Sequence, residues 1–212
     1  MTEAEWRACE DPAELFRAHL HRTGARKLRL LGCALARLTP LDGRCRAALE
    51  AAERLAEGDL PFSEAAAHWD AVDEVKQGVP FGSEEWAAMT LLTGGSLREV
   101  PAGAEHCAYL DHPRIRRSAV KRQAAAGLVR CVFGDLFRPP IWEIPWPPAW
   151  ASATAVALAV GVYADRAFDR LPVLADALEE AGCDDADVLT HCRGDGPHAR
   201  GCWVVDLVRW AG

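Results

Sequence analysis

Lysine is scarce in this chain of 212 residues, three against 21 arginines. The skew reads as codon bias and carries no functional weight. Positive charge is short overall: 24 Lys and Arg face 31 Asp and Glu, a formal net charge of −7. Phosphate backbones are bound through excess cations, so nucleic acid is excluded as a default partner. Long apolar runs are missing as well. The longest, from Ala151 to Tyr163, is broken only by Ser152 and Thr154 and spans 13 residues. A membrane-crossing helix needs about 20, so this run predicts a buried helix instead. The opening Met1-Thr-Glu-Ala-Glu-Trp6 is acidic and lacks the apolar stretch of a secretory leader. That predicts a cytoplasmic protein, whose thiols stay reduced. The chain has no Cys-x-x-Cys pair and no strong catalytic motif. It also lacks a repeat of about 20–50 residues, which argues against a solenoid.

What is present is helical. The composition, 50% apolar and 26% charged, is that of a globular chain long enough for a sizeable core. Asp11-Pro12 reads as an N-cap with proline at the first helical position, opening a helix to about His21. Leu28, Leu31, Leu35 and Leu38 recur at spacings of 3, 4 and 3, the stripe of an amphipathic helix that Pro40 stops. Asp42 caps a third helix ending at Glu57 before Gly58. Ser63 and Ser83 start two more, the second with acidic residues in its first turn. Thr93 to Asp111 is a poor helix candidate and predicts loop or short strand. His112-Pro113 predicts one long helix to about Phe133. Near the C-terminus, Pro172 begins a helix with Val173, Leu174, Ala177, Leu178 and Ala181 on one side, ended by Gly182. Asp184 or Asp185 caps the next, which ends near Cys192. Cys202 to Trp210 predicts a final helix.

Residues 134–150 hold five prolines and three tryptophans, which no helix tolerates. One reading is a rigid extended belt pinned to the helical body by its tryptophans. The other is a surface in which Trp142, Trp146 and Trp150 bind a partner protein.

The eight cysteines stand far apart, and most read as small buried hydrophobes. The exception is Cys183, His191, Cys192, His198 and Cys202, five candidate metal ligands within twenty residues. Cys192-x5-His198-x3-Cys202 spans a Gly-Asp-Gly-Pro turn that lets flanking side chains converge, and Cys183 or His191 would complete a zinc tetrahedron. His191 and Cys192 are neighbours on a helix, about 100° apart around its axis, so both reach one ion only with difficulty. A bland alternative puts Cys183 and Cys192 in the core and leaves His198 to cap the turn. A thiol enzyme would use Cys202 or Cys192 as nucleophile, His198 as base and Asp206 as orienter. In a second group, His106-Cys107 with Asp111-His112, two histidines and an aspartate could make a metal site, but helix capping explains Asp111 equally well. Arg114, Arg116, Arg117, Lys121 and Arg122 form a local basic stretch, but they scatter around the helix and predict a solvated, ion-paired surface.

Met1-Thr-Glu-Ala-Glu-Trp-Arg-Ala-Cys-Glu-Asp-Pro12, Arg26-Lys-Leu-Arg-Leu-Leu-Gly-Cys33 and Phe133-Gly-Asp-Leu-Phe-Arg-Pro139 resemble segments of a large paralogous family of uncharacterised planctomycete-type bacterial proteins. The C-terminal part is the most similar. It comprises Phe168-Asp-Arg-Leu-Pro-Val-Leu-Ala-Asp-Ala-Leu-Glu-Glu-Ala-Gly-Cys183, His191-Cys-Arg and Gly196-Pro-His-Ala-Arg-Gly-Cys-Trp-Val-Val-Asp206. Relatives carry a cysteine-rich run after the Arg-Lys-Leu-Arg-Leu segment, where this chain has Leu35 and Ala36. The resemblance implies a lineage and a modular helical domain, and supplies no mechanism.

These readings predict an all-α fold, a single compact multi-helix array over residues 1–212 with a Pro/Trp-rich extended belt. Its sub-parts are a helical body 1–133, the belt 134–150 and a C-terminal helical motif 151–212. The leading function is a non-enzymatic cytoplasmic interaction or regulatory module with a structural zinc site and a protein partner. Two alternatives are a metal-dependent or thiol enzyme using Cys183 to Asp206, and phosphate or nucleic-acid binding through Arg114 to Arg122.

Overall fold

The computed structural model describes residues 1–81, 83–93, 104–138 and 149–210. The fold is all-α, with no strand among the described residues. No described helix is long and apolar enough to cross a membrane. The chain divides into two compact units, Met1–Arg130 and Cys131–Gly212.

The first unit holds α1 (Glu3–Ala8), α2 (Pro12–His19), α3 (Ala25–Ala36), α4 (Gly43–Glu57), α5 (Phe62–Lys76), α6 (Glu84–Thr93), α7 (Ala104–Leu110), α8 (Pro113–Arg117) and most of α9 (Ala119–Phe133). Local chemistry sets most of these boundaries. The Asp11 carboxylate accepts from the backbone N–H groups of Ala13 and Glu14, and Pro12 follows it. The Asp42 carboxylate accepts from Cys45 N–H, and Gly58 closes α4 in the left-handed region at φ 81°. α3 packs on α4, and α4 on α5. The interior face of α3 buries Leu28, Leu31 and Leu35, as its periodicity predicts, whereas Leu38 falls beyond the end of the helix and is half-buried.

Three elements depart from expectation. α1 is set by a capping box in which the Thr2 hydroxyl accepts from Glu5 N–H and the Glu5 carboxylate accepts from Thr2 N–H. Within the stretch expected to be loop or strand, residues 104–110 are the helix α7, while 94–103 lie outside the described residues. Tertiary contacts fix α7. His106 is fully buried and stacks on Phe16 at 5.2 Å, and its Nε2 lies 2.9 Å from Leu28 O. The Tyr109 hydroxyl donates to Leu35 O at the end of α3. The long helix predicted from His112 to Phe133 is two helices. Ser118 is extended (φ −90°, ψ 111°), and its hydroxyl accepts from Lys121 N–H to start α9.

The second unit contains the last residues of α9, then α10 (Ala153–Asp165), α11 (Leu171–Glu180), α12 (Ala186–Arg193) and α13 (Trp203–Arg209). Its core gathers Ala155, Ala159 and Val162 of α10, Leu171, Leu174 and Leu178 of α11, Val188 of α12, and Val204, Val205, Leu207 and Val208 of α13. The run expected to be a buried helix is buried on one side only, since Val160 of α10 remains 50% exposed. α11 is rotated from its expected stripe: Val173 points outward, while Leu171 and Ala175 face the core.

Candidate metal centre

Four side chains of the second unit converge: Cys131, His191, His198 and Cys202, with one donor atom from each lying within 4.8 Å of the others. Each comes from a different local setting. Cys131 lies in the last turn of α9, His191 near the end of α12, His198 in the Gly-Pro turn that follows, and Cys202 is the N-cap of α13. His191 Nε2 is 3.2 Å from Cys202 Sγ, and Cys131 Sγ is 3.7 Å from His198 Nδ1. A zinc tetrahedron with Zn–S of about 2.3 Å and Zn–N of about 2.0–2.1 Å spaces its donors about 3.3–3.8 Å apart. These two distances lie close to that spacing, no pair of donors is farther apart than 4.8 Å, and two thiols with two imidazoles are donors that zinc takes.

The surroundings orient these donors. His198 Nε2 faces Gly194 O at 3.2 Å, which leaves Nδ1 for the cluster, the arrangement by which an outer partner fixes a ligating imidazole. The His191 and His198 rings meet edge-on at 4.9 Å, and Trp203 lies against His191. Gly196 (φ 81°) lets the turn close, because a Cβ there would stand 2.9 Å from His198 N. Trp203 is held in turn by Arg138, whose guanidinium lies over its ring at 4.5 Å and forms a two-pronged ion pair with Asp185. Asp185 also caps α12 through the N–H groups of Asp187 and Val188.

Burial alone would push the fully buried Cys202 thiol up. Hydrogen bonds from Cys131, His191 and His198 outweigh it and hold Cys202 well below the ordinary thiol range. Burial opposes the charge on His198, yet the Cys202 sulfur and Gly194 O raise its affinity for a proton. Cys192 behaves oppositely, since burial drives its thiol far up and it stays protonated.

Three of the five expected ligands, His191, His198 and Cys202, are thus brought together. Cys183 and Cys192 lie outside the four-residue group, among the apolar side chains of the core. The fourth donor, Cys131, is indistinguishable by spacing from a small core residue in an apolar helix. Asp206, the expected orienter of a thiol site, is fully buried and paired with Arg209 at 3.2 Å. In the first unit, Asp111 pairs with Arg17 and Arg116, and the cap of α8 is the His112 ring, not Asp111. Arg116 also meets Asp11, and Arg122 donates to Arg116 O. Trp142 and Trp146 lie outside the described residues, whereas Trp150 is half-buried against the core of the second unit.

No family model, no curated protein and no solved structure matches this chain.

Proposed function

We propose that the protein is a non-enzymatic cytoplasmic interaction or regulatory module whose C-terminal unit is built around one structural zinc ion held by Cys131, His191, His198 and Cys202. The observation that carries this reading is the convergence of two sulfurs and two imidazole nitrogens within 4.8 Å. Four protein donors saturate tetrahedral zinc, and a saturated site is structural, because catalysis needs a position left for water or substrate. Asp206, which a thiol enzyme would need beside His198, is instead engaged by Arg209, and this favours the structural role over the thiol chemistry. The likeness to the planctomycete-type family stays a proposed lineage. A partner protein is proposed for the Pro/Trp segment, through Trp142, Trp146 and Trp150.

Metal content and thermal stability test the zinc reading together. Protein purified without chelators should contain one equivalent of zinc by elemental mass spectrometry. Cys202→Ser should lose both the zinc and several degrees of melting temperature, whereas Cys183→Ser should keep the metal. Zinc lost without any change in stability would point to an exchangeable, catalytic ion.

A further inference from the structure

We propose that the Cys131 and Cys202 thiolates make the zinc centre responsive to peroxide, releasing the ion as the two sulfurs join in a disulfide. This rests on the zinc reading above and adds regulation to the same site. Only two of the four donors are oxidisable sulfurs, and they are neighbours within 4.8 Å. A disulfide requires an S–S distance of about 2.05 Å, so closure needs a shift of under about 3 Å once the ion no longer separates them. Both sulfurs stand at helix ends, in the last turn of α9 and at the N-cap of α13. Each sulfur has an imidazole beside it, His191 Nε2 at 3.2 Å from Cys202 Sγ and His198 Nδ1 at 3.7 Å from Cys131 Sγ, while Cys192 lies outside the group. Both sulfurs are buried, and the half-buried imidazoles of His191 and His198 are the solvent-facing side of the cluster.

The chemistry balances with a hydroperoxide as oxidant. One thiolate sulfur attacks a peroxide oxygen and the O–O bond breaks. This gives a sulfenic acid, and the departing hydroxide leaves as water after taking up a proton. The second thiolate attacks that sulfur, the S–O bond breaks, and a second proton carries the oxygen away as water. The two sulfurs each give up one electron, and one peroxide is reduced to two waters. The two imidazoles that remain are too few to retain zinc in a closed site.

The test uses the zinc-loaded full-length protein and a few equivalents of hydrogen peroxide. Freed zinc is read with a colorimetric chelator, and peptides are mapped without reduction. The expected result is one zinc released per chain, together with a Cys131–Cys202 linked peptide. Rebinding should follow addition of a thiol reductant and fresh zinc, and Cys192→Ala should respond as the unaltered protein does. Zinc retained while the half-buried thiols of Cys9 and Cys107 are consumed overturns the proposal and leaves the structural ion standing, as does release with Cys202 joined to Cys192. A chain that holds no zinc before peroxide is added removes both readings.

Discussion

At the scale of single residues, a methyl group at position 196 is the smallest change expected to disable the centre. Gly196 has φ 81°, and a Cβ there would lie 2.9 Å from His198 N and 3.0 Å from its Cδ2. An alanine must therefore move the imidazole as well as bear a left-handed backbone, at a cost of about 1–3 kcal/mol. Displacing an oriented ligand weakens metal binding by about 10–100-fold, and Gly196→Ala should show that loss in a competition titration against a zinc chelator. Gly182 supplies the control. It has φ 93°, and a methyl group there would meet nothing within 4 Å, so Gly182→Ala should cost stability and leave zinc affinity unchanged. Residue identity made His191, His198 and Cys202 legible, because a Gly-Pro turn lets flanking donors meet. Cys192 misleads for a geometric reason: its place beside His191, about 100° around α12, turns its sulfur into the core.

At the scale of elements, helix ends were the most legible feature because their chemistry is local. Asp11, Asp42, Ser83 and Asp185 all start helices where their side chains predict it, whereas Ser63 lies inside α5, whose N-cap is Pro61. The break at Ser118 and the helix α7 were not legible. One depends on a serine cap inside a pattern that otherwise continues, and the other on a buried histidine and tyrosine meeting distant carbonyls. Asp185 gives the element-scale prediction. Burial would raise its carboxyl, but Arg138 and the Val188 and Asp187 N–H groups lower it below the ordinary value. A depressed carboxyl contributes stability above its unfolded pKa of about 3.9 and loses it as pH falls through the folded value. Asp185→Asn keeps a capping side chain but loses the charged hydrogen bonds from Arg138, and should therefore destabilise the protein by about 1–2 kcal/mol near neutral pH. In urea melts the gap from the unaltered chain should narrow as pH is lowered from about 5 towards 3.

At the scale of the whole molecule, the donors span nearly the full length of the second unit, from its first residue, Cys131, to Cys202. One ion would tie the end of α9 to the start of α13 across every intervening helix of that unit. Apparent binding energies of structural zinc, about 10–16 kcal/mol, match or exceed the about 5–15 kcal/mol by which domains are stable at all. That long-range closure is why the complete ligand set could not be read from spacing: local patterns report helices and turns, whereas Cys131 joins the others only through the tertiary fold. X-ray absorption at the zinc edge of the purified protein reads the ligand set itself. A four-coordinate ion is expected, with two sulfurs at about 2.3 Å and two imidazole nitrogens at about 2.0–2.1 Å, and with the ion lost in Cys131→Ser as in Cys202→Ser. Oxygen ligation, a third sulfur, or a spectrum unchanged in Cys131→Ser would contradict that ligand set.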